Sequence, residues 1–408
     1  MTQSTRPARR TLLAAGAALA VVMAGPAAAQ SAADAIHQRV LTLDSHVDVL
    51  LPGANPRSFA ADGKSFSELS KLRAGGVDAL VYAVAVSTGP RTPEGYAAAR
   101  AEADAKLAAI RKIAADHPSD IAIALSADEV RQIVGQGKVA ILIGFLNAYS
   151  LGDDVAGFDR LQRQGVRVAG LTHAGNNAFA DSSRPQAGAG EEHGGLSPLG
   201  KAAVARLNDL GVLIDISQLT PKGVFQVLEL SRAPVVATHS AARTLADHAR
   251  NLSDAELDAI KAKGGVVQVT PFNSYLLPQA PDYPARLAAL RTRYGLDPTK
   301  SGYQGGDDLG QPQRDAFFVA YKALSPQANV KTYVDHIDYI ARRIGVEHVG
   351  IGTDFNHGAG IEGFKDESQA PAVTRELVAR GYSETEVAQI WGGNFLRVLK
   401  TAEAAAKP

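Results

Sequence analysis

Histidines and carboxylates recur at the ends of short apolar runs in this sequence. His46-Val47-Asp48 closes one run and His173 another, Asp215-Ile216-Ser217-Gln218 ends a third, and Thr238-His239-Ser240 and Gly352-Thr353-Asp354 end two more. Residues two apart in an extended chain point the same way, so His46 and Asp48 share a side. A lone histidine in such a place is ordinarily a satisfied core residue. Histidines and carboxylates gathered at the same end of separate runs are costly to bury unless a metal or a partner compensates them. The chain has no cysteine, so a metal here is held by nitrogen and oxygen alone. That donor set suits Zn²⁺ or a similar divalent ion with one position open to water. Such an ion lowers the pKa of the water and polarises a carbonyl, which is hydrolytic chemistry. His193 and His357 lie in glycine-rich loops near the same ends and are weaker, substrate-contact candidates. His37, His117 and His336 fall in helical patterns, where structural or solvated roles are expected. No glycine-rich segment forms GxGxxG or a P-loop after a strand, so no nucleotide cofactor is expected.

The elements that must position these residues are eight apolar, β-branched-rich runs at 40–46, 77–86, 139–145, 166–173, 212–217, 234–239, 265–272 and 348–355. Most are continuously hydrophobic, as parallel strands buried on both faces are. Helical patterns at 93–115, 154–164, 198–210, 220–230 and 253–263 lie between them. Thr220-Pro221 and Ser253, with Glu256 three residues on, supply helix-start chemistry. Eight strand–helix alternations predict a (β/α)8 TIM barrel of the metal-dependent hydrolase type, with a doubly wound open sheet as the runner-up. In such a barrel the catalytic groups sit at the C-terminal strand ends, where these residues fall. Residues 276–328, after the seventh run, show no strand pattern. An insertion there is read either as a lid or specificity element or as a helical excursion packed on the barrel. The alanine-rich tail after Thr401 reads as disordered.

The 408 residues are 46% hydrophobic and carry 42 basic and 42 acidic side chains. This is enough for a large core. The absence of net charge argues against nucleic acid or an anionic membrane as the main partner. At the N-terminus, Arg6, Arg9 and Arg10 precede an apolar stretch at 12–24, and small residues fall at the −3 and −1 positions of a cut after Ala29. Residues 1–29 therefore read as a signal peptide, and 30–408 as a single exported domain, periplasmic or secreted. The apolar stretch is shorter than the ~20 residues of a membrane span. Arg9-Arg10-Thr11-Leu12-Leu13 also resembles a twin-arginine signal, and the export route is left open.

Several segments, taken in order, resemble the renal or membrane dipeptidase family of zinc peptidases over nearly the whole mature chain. They include Asp44-Ser45-His46-Val47-Asp48, Leu171-Thr172-His173-Ala174-Gly175-Asn176, Gly195-Leu196-Ser197-Pro198-Leu199-Gly200, Thr238-His239-Ser240, Arg250-Asn251-Leu252, Gly352-Thr353-Asp354-Phe355 and Gly393-Asn394-Phe395-Leu396. The resemblance implies dipeptide hydrolysis at two bridged zinc ions. It makes His46, Asp48 and Asp354 ligands of the first ion and His239 a ligand of the second. It makes His173 a substrate contact and Arg250 the group that grips the substrate carboxylate, a task suited to a planar bidentate fork. Two positions depart from the family. Leu146 stands where the bridging glutamate is expected, and Gln218 where a histidine ligand is expected.

The resulting expectation is a metallohydrolase of dipeptides or similar small amides with a reduced site of one Zn²⁺. Asp354 takes the proton from water, His173 polarises the oxyanion, and His239 is left free as an acid, base or substrate contact. The rival is a non-catalytic small-molecule or peptide binder that kept the pocket and Arg250 but lost turnover. The expected partner is a small peptide or amide, with no membrane span after cleavage. A homodimer is the one assembly entertained.

Overall fold

The computed structural model describes residues 26–407 except 187–188, 301 and 303–304. Most of the expected leader thus lies outside the described residues, while residues 26–29 open the helix Pro26–His37. Among the described residues no helix is long and apolar enough to cross a membrane.

Nine strands form one parallel sheet: β1 (Leu43–Asp48), β2 (Ala79–Ala85), β3 (Ile121–Ile123), β4 (Val139–Leu146), β5 (Val166–Gly170), β6 (Leu213–Asp215), β7 (Val236–Ser240), β8 (Val266–Val269) and β9 (Val349–Ile351). Eight follow the order β1-β2-β4-β5-β6-β7-β8-β9, and β3 pairs only with β4. The end of β1 meets the chain just after β9 through the parallel bridge of Val47 with Phe355. The sheet is thus a nearly closed (β/α)8 barrel rather than an open doubly wound sheet. Each expected run contains or overlaps a barrel strand. β3 is the strand that sequence periodicity does not show, because three residues are too few to display alternation.

Burial explains the continuous runs. Every residue of β2 and β4 is buried. Alternate side chains go to different clusters, as the period of two requires. Val139, Ile141 and Ile143 pack in the larger cluster. Ala140 and Leu142 join Leu43, Val81, Val168, Leu213, Val236 and Val266 beside Phe395 and Leu396 of the C-terminal helix. Helix starts follow the expected chemistry. The Thr220 hydroxyl accepts from Gly223 N with proline in the first turn, and Ser253 and Glu256 form a capping box.

The stretch after β8 is helical, with helices Tyr283–Arg293 and Gln313–Lys322. It folds on itself through Arg291, which is buried and donates to Asp297 O and Gly302 O. Its Phe318 ring carries the Arg57 guanidinium at 4.6 Å, so the insertion reaches the chain after β1. The tail is a correction. The helix Asn394–Ala404 runs past Thr401, Ala402 is buried, and Lys407 N donates to Asp209 O at 3.0 Å. Alanine-rich composition suits a helix that has a surface to pack on.

Candidate metal centre

The residues expected at the barrel mouth converge. His46 and Asp48 lie on β1, with a register shift between Asp44 and Val47. Asp354 follows β9 in the left-handed conformation, φ 57°, and Asn356 repeats it at φ 67°. Asp and Asn tolerate this conformation better than other side chains. The Asn356 amide returns to Asp48 O at 2.8 Å while its Oδ1 accepts from Phe66 N. Gly352 lets the chain pass closely, since a Cβ there would meet Thr238 O at 2.1 Å.

His46 Nε2 stands 3.6 Å from Asp48 Oδ1 and 3.8 Å from Asp354 Oδ1. Among the described residues His46 Nε2 and Asp48 Oδ1 are buried with no hydrogen-bond partner. Buried polar atoms are rarely left so. One imidazole nitrogen and two carboxylates within 4.8 Å of one another fit a divalent cation. Electrostatics agree. Burial disfavours charge on His46, but Asp48 and Asp354 raise its pKa overall. Burial pushes Asp354 up, against the pull of His357 and His46. Burial acts the same way on Asp48, yet its hydrogen bond with His357 and the nearby His46 hold it well below the usual range. The two carboxylates thus call for positive charge between them.

A second group, His46, Asp215 and His239, adjoins the first. Here the carboxylate is already engaged. Asp215 accepts from Ser217 N, Ser217 Oγ, Thr238 N and Thr238 Oγ1. Because Thr238 donates to Asp215 at 2.6 Å, its lone pairs accept from Nδ1–H of His46 at 3.2 Å and of His239 at 2.8 Å. This fixes both tautomers and leaves both Nε2 atoms as lone pairs. The two rings stack at 3.9 Å. His239 Nε2 then accepts from Gln218 Nε2 at 3.0 Å. Burial, reinforced by His46 and Arg250, pushes His239 well below its ordinary pKa. Leu146 is buried at the end of β4 and lies over Gly170, where a Cβ would approach its Cδ1 to 2.8 Å.

His173 and His357 meet edge to face at 5.4 Å, and His357 Nδ1 binds Asp48 Oδ2 at 2.9 Å. Burial opposes charge on His357, but Asp354 and Asp48 raise its pKa overall. Burial and His357 push His173 far down. In the neutral ring Nδ1–H donates to Val86 O at 3.3 Å, which leaves Nε2 as an acceptor. Arg250 is buried. Its Nη2 donates to His239 O at 2.7 Å, while Nε and Nη1 have no hydrogen-bond partner among the described residues. His193 binds Asn177 O, and His37 and His336 bind main chain within the scaffold. Sequence reasoning assigned no role to Thr238, Asp215 or Arg184. The first two sit in the same strand-end clusters as the histidines, where the signal was present. Arg184 lies in a loop without periodicity.

The chain is 30% identical over 285 residues to dipeptidase tcpJ of Claviceps purpurea (strain 20.1), covering 70% of this chain and 56% of that one. It is 29% identical over 391 residues to dipeptidase 3 of Macaca fascicularis, covering 92% and 67%. It thus spans little over half the length of the first of these relatives. The crystal structure of the probable dipeptidase PvdM from Pseudomonas aeruginosa superposes with a TM-score of 0.81 at 38% identity, covering 94% of this chain and 100% of that one. A family model described as membrane dipeptidase, peptidase family M19, matches residues 30–408, and the chain belongs to that family.

Proposed function

We propose that this protein is an exported metal-dependent hydrolase of dipeptides or similar small amides, holding one zinc ion with His46, Asp48 and Asp354. The observation that carries the reading is the pair of unpartnered buried atoms, His46 Nε2 and Asp48 Oδ1, beside Asp354. A zinc ion bound there supplies Lewis acidity, which makes water a nucleophile near neutral pH and polarises the scissile carbonyl. The chain's own groups do the rest. Asp354, its pKa raised by burial, takes the proton that the attacking water gives up. Arg250, with Nε and Nη1 free of hydrogen-bond partners among the described residues, meets the terminal carboxylate along one edge of its guanidinium and orients the amide. For His173 to donate to the oxyanion its Nε2 must carry the hydrogen, at the cost of the long 3.3 Å bond to Val86 O.

The closed second position, with Gln218 donating to His239 Nε2, favours the rival reading of a binder without turnover. A dipeptide panel with and without added Zn²⁺ separates the two. Metal-dependent cleavage of free dipeptides, with their C-terminal amides poorly used, is expected. Binding without cleavage at any metal loading would leave only the binder. Export predicts that the mature chain begins at or near Gln30, and N-terminal sequencing that found intact Met1 would remove it.

A further inference from the structure

Arg250 is not the only guanidinium at the mouth. The segment between β5 and the helix Pro198–Asp209 folds over the end of β6, tied there by Ser183 N donating to Gln218 O at 2.8 Å. Arg184 is pinned in that segment. Its carbonyl accepts from Gly175 N at 2.7 Å and its N–H donates to Ser182 Oγ at 3.1 Å. Its side chain turns inward, with Nη2 3.5 Å from Gln218 Oε1 and Nε buried without a hydrogen-bond partner among the described residues. Gln218 therefore works with both ends: its N–H₂ meets His239 and its oxygen faces Arg184. Among the described residues no carboxylate forms an ion pair with Arg184 or Arg250. The carboxylates nearby are committed. Asp48 and Asp354 belong to the metal cluster, and Asp215 already accepts four hydrogen bonds. Arg184 lies within electrostatic reach of His173, His239 and Arg250.

A free dipeptide with a neutral side chain offers one carboxylate, which answers Arg250 and leaves Arg184 unanswered. Arg184 is half-buried as a residue, but a guanidinium whose Nε is buried with neither partner nor counter-charge among the described residues is costly, and its planar fork matches a carboxylate. We infer that Arg184 is a second anion-binding residue of this pocket, and that its ligands carry two carboxylates: a terminal one for Arg250 and a second, such as an acidic side chain, for Arg184. The inference rests on the dipeptidase reading for the amide between the two carboxylates, but not for the carboxylates themselves.

The test uses the zinc-loaded mature chain and calorimetric affinities for pseudo-dipeptides in which CH₂–NH replaces the scissile amide. The Ala-Asp analogue should bind at least about tenfold more tightly than the Ala-Asn analogue, the scale of one charge-assisted pair. Arg184→Gln should bring that ratio close to one. Arg184→Lys, which keeps the charge but not the fork, should retain part of it. Arg250→Gln should weaken both analogues alike. An unaltered melting temperature keeps the Arg184 variants interpretable, and the ratio, not the absolute affinity, is the readout. A ratio near one in the wild type, or one that Arg184→Gln leaves intact, overturns the inference. If no pseudo-dipeptide binds, the dipeptidase reading fails and glutarate against its monoamide decides the matter. A preference for the diacid that is lost in Arg184→Gln upholds the role of Arg184, and equal affinities reject it.

Discussion

Gln218 stands where the family resemblance places a histidine ligand, and its amide does more than fail to coordinate. It donates to His239 Nε2, the lone pair that Thr238 leaves free for a metal. A second cation would have to break that bond and do so without a bridging carboxylate, because the buried, apolar Leu146 stands where the family resemblance places the glutamate. Two cations held close together without an intervening carboxylate repel strongly. The expected metal content after dialysis is therefore one ion per chain or less. Asp354→Asn should abolish it, whereas His239→Ala should not. Restoring Leu146→Glu and Gln218→His together should raise the count toward two, with either change alone doing less. Elemental analysis reads all of these. Two tightly held ions in the unaltered protein would show that the assignment of Leu146 and Gln218 is mistaken.

The strand ends that carry these residues rest on a buried acid pair. Asp44 of β1 accepts from Thr353 N, Thr353 Oγ1 and His46 N, and so fixes the two segments that present His46 and Asp354. Glu367 lies beside Asp44, is fully buried, and among the described residues meets no N–H or O–H donor at either oxygen. With no donor at either oxygen, Glu367 can pair with Asp44 only by keeping its own proton. Burial and the Asp44 charge raise Glu367 well above the ordinary carboxyl range. A raised folded-state pKa contributes stability fully below the unfolded value and loses it as pH rises toward the folded one. Between those two values the folded state holds one proton more, and stability falls by about 1.4 kcal/mol per pH unit. Glu367→Gln keeps the shape and a permanent donor, so it should melt higher than wild type by a margin that widens from pH 5 upward. A margin that stays constant with pH would mean that Glu367 is ionised in the fold. None of this pair was legible in the sequence, since Glu367 carries no strand or helix pattern that ties it to Asp44. The strands were legible because β2 and β4, buried on both faces, read as unbroken apolar runs. The mouth was legible because His46, Asp48, His239 and Asp354 end such runs. Arg184 and the three residues of β3 lack any periodicity, and only the folded chain brings them to their places.

Across the whole molecule, closure is the weak point of this barrel, and the metal cluster lies on it. β1 and β9 share no ladder; their ends are joined by the Val47–Phe355 bridge, with Asp48 N donating to Phe355 O at 3.1 Å and Asp354 N to His46 O at 2.8 Å. Two of the proposed ligands lie on β1 and the third follows β9, so an ion bound there fastens the first strand to the last. An ion that binds only the folded chain stabilises it by mass action, about 4 kcal/mol at a thousandfold excess over its dissociation constant. For a chain of this size that is a rise in melting temperature of about 5 °C. Chelation should therefore lower the melting temperature by this order and leave Asp48 and Asp354 facing each other across the seam with only His46 and His357 beside them to offset their charge. Loss of the ion should also be local before it is global, because the β4–β5 pairing on the far side of the barrel keeps its ladder. Hydrogen exchange on the chelated protein is expected to speed up first at residues 43–48 and 349–356, with β4 and β5 unchanged. Exchange that rises evenly around the barrel, or a melting temperature indifferent to chelation, would show that no ion bridges β1 and the end of β9.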